Sequence, residues 1–277
     1  MSGNLGCILN YQMKDPSIVL RRIARVLLTV IAGLIALYCL VLIYGMCIER
    51  KWLIVKTLNL SPSPCLKVVH ITDIHYKGDR KYLTKVVDIV NRLSPDIVCI
   101  TGDIIEESGF MDEALAILCQ IRYPLFGIPG NHDYWSRYPF EKIAAQFNKT
   151  GGAWLCDTNI IIRNGSIEIA GSTGSEAKAV YSESPSITRR IFLLHYPSLA
   201  VSLAGPHRYN LILAGHTHGG QVRLPYIGPI LNYCIGNDFD SGLFNTSAGP
   251  LYINPGIGTF YHDIRIFCRP EITVINL

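Results

Sequence analysis

No two of the nine cysteines form a Cys-x-x-Cys pair, and their odd number and scatter fit no disulfide framework. Cys99 and Cys119 fall inside apolar runs, where reduced core thiols sit. This argues against a disulfide-stapled scaffold and leans toward a domain facing the cytoplasm. Charge is also sparse, at 17% of residues with a formal net charge of +4. The chain from Cys65 onward carries no clustered Lys/Arg stripe, so no nucleic-acid partner is expected. There is no internal repeat and no low-complexity segment.

What the chain has in excess is hydrophobic residues, at 49%. The excess sits in one place, Val26 to Ile48, a stretch without charge that is rich in Leu, Ile and Val. As a helix it would extend roughly 34 Å, enough for an apolar bilayer core of about 30 Å. A cleaved signal peptide would have a shorter apolar region and a small-x-small site. Here the run ends in Glu49-Arg50-Lys51-Trp52, with Trp52 suited to a membrane interface. The Arg21-Arg22 pair is followed by Ile23-Ala24-Arg25-Val26, a poor match to a twin-arginine signal. The reading is an uncleaved single-pass anchor. Lys14, Arg21, Arg22 and Arg25 before the span balance Arg50, Lys51, Lys56 and Lys67 after it, so the positive-inside rule gives no orientation. The expected organisation is a tail over 1–25, an anchor over 26–48, a linker over 49–64 that ends in Ser61-Pro62-Ser63-Pro64, and a catalytic domain over 65–277.

Within that domain, Leu66–Thr72 reads as a strand, Arg80–Leu93 as a helix with Leu83, Val86, Val87 and Val90 on one face, and Asp96–Thr101 as a second strand. Helices over Asp112–Ile121 and Phe140–Phe147 bracket a strand at Leu125–Ile128. This is the βαβ rhythm of a mostly parallel sheet. Further short strands follow, at Trp154–Cys156, Ile160–Ile162, Ile167–Ile169, Ile191–Leu194, Leu211–Ala214, Val222–Leu224, Leu251–Ile253 and Ile272–Ile275. Asn164-Gly165 suits a hairpin between the second and third of these. Two packed sheets with helices outside would bury so many apolar strands.

The chemistry-bearing residues follow strands: Asp73-Ile74-His75, Gly102-Asp103, Gly130-Asn131-His132-Asp133, His195-Tyr196-Pro197 and Gly215-His216-Thr217-His218-Gly219-Gly220. Ligands of open parallel sheets bind beyond the carboxyl ends of the strands, and Asp, Asn and His suit borderline-hard divalent metals. Any one motif alone is an ordinary polar turn. The five together are hard to obtain by accident.

This motif set resembles that of the calcineurin-like metallophosphoesterases, from Cys65 to near the end of the chain. The resemblance implies a four-layer αββα sandwich. It implies that Asp73, His75 and His218 hold one metal, that Asn131, His195 and His216 hold a second, and that Asp103 bridges the two. Two such metals would acidify a water that attacks phosphorus. It implies that His132 stands near the leaving oxygen as acid or phosphate clamp, with Asp133 orienting it or capping the following helix. The mixed donors suit Mn best, with Fe or Zn as alternatives. Gly-His-Thr-His-Gly-Gly-Gln and Arg269-Pro270-Glu271-Ile272 are more similar to a bacterial branch of membrane-linked phosphodiesterases and lipid A pathway pyrophosphatases. The expected substrate is a phosphate ester or a lipid-linked pyrophosphate, with UDP-2,3-diacylglucosamine as one candidate. The expected location is the bacterial inner membrane, with the domain on the cytoplasmic side. A general phosphodiesterase and a non-catalytic scaffold are the alternatives.

Several positions are left with two readings. Gly171-Ser172-Thr173-Gly174-Ser175 lacks an Asp that many relatives carry there. Tyr226–Phe244, without Lys or Arg, is either a core-covering loop or an acyl-chain lid. Arg265 and Arg269 are either phosphate ligands or structural ion-pair partners. His70 is expected to be packed, and His207 and His262 solvated.

Overall fold

The computed structural model describes residues 16–174, 180–203, 208–230 and 239–277. It divides into two compact units, Met1–Ile43 and Tyr44–Leu277.

The first unit is the helix α1 (Pro16–Ile43), with apolar side chains such as Leu20, Leu28, Leu34 and Leu40 exposed along it. Ser17–Lys51 is long and apolar enough to cross a membrane. The helix starts earlier than the apolar run because Pro16 suits a first helical position and Arg21, Arg22 and Arg25 are good helix formers. Arginines expected in a tail are therefore helical.

The second unit begins with a π-turn (Tyr44–Ile48) and a 3-10 turn (Glu49–Lys51). The expected linker over 49–64 contains a strand, β1 (Ile54–Asn59), which pairs along its whole length with the last strand of the chain. Its pattern, Ile-Val-Lys-Thr-Leu-Asn, alternates weakly and leaves Val55 to Thr57 exposed, so it reads as a strand only once its partner is known.

The core elements follow the expected order: β2 (Lys67–Ile71), α2 (Arg80–Leu93), β3 (Ile97–Ile100), α3 (Met111–Leu118), β4 (Leu125–Gly127), α4 (Asn131–Trp135), α5 (Phe140–Lys149) and β5 (Ala153–Trp154). Then come β6 (Thr158–Ile162), β7 (Ile167–Gly171), β8 (Arg189–Leu193), β9 (Leu211–Ala214), β10 (Arg223–Leu224), β11 (Gly228–Pro229), β12 (Gly242–Thr246), β13 (Gly249–Ile253) and β14 (Glu271–Asn276). One six-stranded sheet has the order β1-β14-β2-β3-β4-β5, and the other β12-β13-β9-β8-β7-β6. Pairing is parallel from β2 through β5 and from β7 through β9 to β13. β6 and β7 form the expected antiparallel hairpin.

Strand alternation explains the layers. In β2, Val69 and Ile71 face α2, α3 and α5 through Leu83, Val86, Val90, Leu115 and Phe147. Val68 points the other way and joins Cys99 and Phe126 against Ile169, Ile191 and Leu213 of the second sheet. The outer face of the second sheet (Phe192, Ile212, Leu251) is covered by Ala200, Leu203 and Tyr209. Among the described residues that cover is a 3-10 turn, Pro197–Val201, and loops.

Asp79 caps α2 by accepting from the Tyr82 amide at 3.1 Å, and Ser94 ends it with a left-handed backbone. These ends fix where the loop after β2 enters the helix and where the chain turns back into β3.

Candidate metal centre

The loops after β2, β3, β4, β8 and β9 bring all seven expected ligands to one place. His75 Nε2 lies 3.1 Å from His218 Nε2, and His218 Nε2 lies 3.6 Å from Asp73 Oδ1. On the other side His195 Nε2 lies 3.0 Å from Asn131 Oδ1 and 3.1 Å from His216 Nδ1. Asp103 stands between the two groups, its Oδ2 at 3.4 Å from both His75 Nε2 and His195 Nε2. Asp73, His75 and His218 form one set with ligand atoms within 4.8 Å of one another, and Asp103, His195 and His216 form another.

Small residues make this approach possible. A Cβ on Gly130 would lie 2.1 Å from Asp103 Oδ1, and one on Gly215 would lie 2.4 Å from Asp73 Oδ2. The glycines in Gly-Asn-His-Asp and Gly-His-Thr-His are therefore spaces for carboxylates. The backbone is also under constraint. Asp73, His75, Asp103, His216 and His218 all have φ between 41° and 71°, a region that L-residues occupy at a cost of about 1–3 kcal/mol each. Such strain persists only where the surroundings over-determine it, and here hydrogen bonds do so. The His216 amide donates to both Asp73 carboxylate oxygens at 3.1 and 2.9 Å, and the Asp73 amide donates to Gly102 O at 3.1 Å.

Of the two readings for Asp133, the hydrogen bonds follow the capping one. Its carboxylate accepts from the amides of Asp103 (2.8 Å), Ile104 (3.0 Å) and Gly130 (2.9 Å). It pins the loop carrying Asp103 to the turn carrying Asn131, and from the third helical position it reaches back to the amide of Gly130, the N-cap of α4. The carboxylate beside His132 is Glu106, whose Oε2 lies 3.4 Å from His132 Nδ1 and accepts from His75 Nδ1 at 2.5 Å. Sequence reading missed Glu106. The available signal was an acidic residue three places after Asp103, one turn of chain beyond the motif.

Phe260 was also missed. Its ring lies 5.3 Å from that of His132 and 5.9 Å from that of His75. Gln221, the last residue of the Gly-His-Thr-His-Gly-Gly-Gln run, grips the Phe260 backbone from both sides, donating to its carbonyl and accepting from its amide.

The other open readings resolve. Arg265 is fully buried and donates to the carbonyls of Pro255, Gly258 and Cys268, a structural role. Arg269 lies 4.0 Å over the Trp52 ring. His70 is buried, with Nε2 on Thr101 Oγ1 at 2.8 Å. His262 is exposed, and His207 lies outside the described residues. Ile227, Ile230 and Leu243 are exposed, so these parts of Tyr226–Phe244 do not cover the core, and residues 231–238 lie outside the described residues.

The electrostatics of the cluster suit bound positive charge. Burial pushes Asp73 up to about 6. Burial, then the Asp103 charge, pushes Asp133 up to about 7. Burial alone would raise Asp103, but the imidazoles of His195, His75 and His132 hold it well below the usual carboxylate range. Burial opposes charge on His195, yet Asp103 raises it to about 9, while burial and His195 push His216 down to about 3. Tautomers add to this. His75 Nδ1 donates to Glu106 and His195 Nδ1 to Thr101 O at 2.8 Å, so in the neutral rings both Nε2 lone pairs face Asp103 Oδ2. Converging lone pairs and buried carboxylates repel unless cations sit among them. The donor set fits divalent metals.

A cluster of this composition at the carboxyl ends of a two-sheet sandwich defines a metal-dependent phosphoester hydrolase. Residues 66–220 match the family model described as calcineurin-like phosphoesterase, and the chain belongs to that family. It is 28% identical over 228 residues to the Bacillus subtilis protein described as uncharacterized metallophosphoesterase YkuE, covering 76% of this chain and 78% of that one. It is 25% identical to phosphodiesterase YaeI of Escherichia coli, with 76% and 82% covered. It is also 28% identical to a bovine transmembrane protein with metallophosphoesterase domain, where 76% of this chain spans only 53% of the relative.

Proposed function

We propose that this chain hydrolyses a phosphoester or pyrophosphate bond with two divalent cations, on a substrate presented at a membrane. The observation that carries the reading is the convergence of Asp73, His75, His218, Asn131, His195 and His216 around Asp103. In this reading the first three would hold one cation and the next three the other, with the Asp103 carboxylate, whose Oδ2 faces both sets, standing between them. Mn is the proposed ion, with Fe or Zn as substitutes for the same N/O donors. When bound, the cations supply acidification of a water and neutralisation of charge that grows on the phosphoryl oxygens.

The remaining work falls to side chains. His132 is buried beside the cluster with 7% of its surface exposed, and its own amide donates to Asp103 Oδ1 at 2.9 Å. It donates a hydrogen bond or a proton to the oxygen that departs. Glu106 orients the His132 and His75 rings together. Phe260 covers these rings from one side and keeps water from that face.

The membrane part of the reading rests on the apolar stretch Ser17–Lys51 and on exposed apolar side chains in and around the β10–β11 hairpin, Leu224, Tyr226, Ile227 and Ile230. They support a lipid-linked substrate, of which UDP-2,3-diacylglucosamine is the candidate to assay, at an inner membrane; the scattered free cysteines favour the cytoplasmic side. Detergent-solubilised full-length protein is stripped with chelator and reloaded with Mn, Fe(II) or Zn. It is then given bis-p-nitrophenyl phosphate, p-nitrophenyl phosphate and the UDP-lipid, with Asp103→Asn as control. Turnover that needs metal and is lost in the control is expected. Absence of turnover with every metal and substrate, or a fully active Asp103→Asn protein, refutes the proposal. Protease accessibility in spheroplasts reads the side of the membrane.

A further inference from the structure

The metal cluster opens on two sides that differ in chemistry. Beside His75, a cavity of about 220 Å³ is lined by Arg50, Lys51, Lys77, Asp79 and Asp263. These charges are already paired, Arg50 with Asp263 at 3.0 Å, Lys51 with Asp79 at 2.5 Å and Lys77 with Asp263 at 3.3 Å. Beside Asn131, a second cleft of about 360 Å³ is lined by Tyr134, Trp135, Tyr196, Ser198 and Leu199. Nothing charged lines it among the described residues.

We propose that this second cleft is a subsite for an uncharged flat ring, an aryl or nucleobase group, carried on the phosphoryl group under attack. The inference rests on the hydrolase reading above and deepens it.

Position comes first. Asn131 belongs both to the cluster and to the cleft wall. The Tyr196 ring lies 4.4 Å from the ring of His216, and the Trp135 ring lies 4.7 Å from that of His132. A phosphoryl group seated at the cluster therefore has the cleft as the immediate surroundings of one of its substituents. Chemistry comes second. A further phosphate in this cleft would lose its water with no Lys or Arg among the described lining residues to replace it, which is costly. An uncharged ring loses nothing of that kind and gains aromatic contact. Third is exposure. Trp135 is 67% exposed and Tyr134 44%, on a helix too short to bury them. Tyr134 is held by Phe140 at 4.9 Å, leaving Trp135 at the mouth. Size comes last. The volume lies at the lower end of the roughly 300–1,000 Å³ of small-molecule sites, which suits one ring system.

The test is direct binding, measured by calorimetry on Mn-loaded full-length protein in detergent. The probes are inorganic phosphate, methyl phosphate, cyclohexyl phosphate and phenyl phosphate. Phenyl phosphate is expected to bind about tenfold more tightly than methyl phosphate, with cyclohexyl phosphate between them. Base stacking on aromatic side chains gives preferences of this order. Trp135→Ala is expected to close the gap between phenyl and methyl phosphate, and Trp135→Phe to keep most of it. Trp135→Leu separates flatness from apolar area, and is expected to bring phenyl down to the cyclohexyl value. Equal binding of phenyl and methyl phosphate by wild type, or an unchanged preference in Trp135→Ala, overturns the subsite while leaving the hydrolase reading intact. If inorganic phosphate itself fails to bind with Mn present, the hydrolase reading falls and the subsite falls with it.

Discussion

Replacing Asp133 by Asn tests whether the site is held from behind. The carboxylate accepts three backbone amides, two on Oδ2 and one on Oδ1, and it is fully buried. An Asn side chain has the same size but only one acceptor oxygen. Placed at the Oδ2 position, that oxygen keeps Asp103 N and Gly130 N, and the new NH2 group then faces the Ile104 N–H donor to donor. The lost bond and the unpaired buried amide cost about 1–3 kcal/mol. For a domain of this size that lowers Tm by roughly 3–10 °C. Asp133→Ala abandons all three amides and costs about 3–5 kcal/mol, a large part of the roughly 5–15 kcal/mol that holds a domain together. Because Asp103 and Asn131 sit on the two loops that Asp133 joins, metal affinity falls with stability, by about 10–100-fold. Differential scanning fluorimetry with and without Mn, plus chelator competition for affinity, reads both effects. The Asn variant is expected to keep a cooperative transition and recover part of its lost Tm when Mn is added in excess. An Asp133→Asn protein with wild-type Tm and wild-type Mn affinity refutes the idea that this carboxylate joins the two loops.

Glu106→Gln keeps the shape but removes the charge that orients the His75 and His132 rings. It is expected to weaken Mn binding about 10–100-fold in chelator competition while shifting Tm of the metal-free protein little. Gly130→Ala places a methyl group against Asp103 Oδ1, where 2.1 Å is available, and is expected to reduce kcat at least about 100-fold on bis-p-nitrophenyl phosphate. His70 is neutral in the fold because burial lowers its pKa to about 3. An unfolded chain, with the ordinary value near 6.5, takes up the proton first, so this contribution is intact above pH 6.5 and erodes as pH falls toward 3. Relative to His70→Leu, wild type is expected to lose about 2 kcal/mol between pH 7.5 and pH 5, read from urea unfolding midpoints at the two pH values.

Much of the centre was legible in the sequence because its ligands follow strands whose apolar, β-branched patterns are strong. Lys67–Ile71, Ile97–Ile100 and Leu211–Ala214 are fully buried or nearly so, and the residues after them have only one end of the sheet to occupy. The helix Arg80–Leu93 was legible to its ends, since its buried face repeats at helical spacing. What was hidden depended on contacts between distant segments. β1 is a strand because β14 is there to pair with it, and Gly242–Thr246, another edge strand, is defined in the same way by β13. The loops that Asp133 joins could not be read from sequence because its partners are backbone amides, which carry no residue signature. Glu106 and Phe260 owe their roles to the fold bringing residues 75, 132 and 218 together.

The strand that follows the apolar segment is bonded into the far edge of a sheet by Ile54–Asn59 against Glu271–Asn276. A protease that clipped the backbone anywhere between Ser61 and Cys65 would therefore not release the hydrolase. The two fragments would separate on a denaturing gel yet travel together in native buffer, the short one still zipped to the long one. Separating the catalytic sheets from the apolar helix requires a cut before Ile54 or the melting of a sheet.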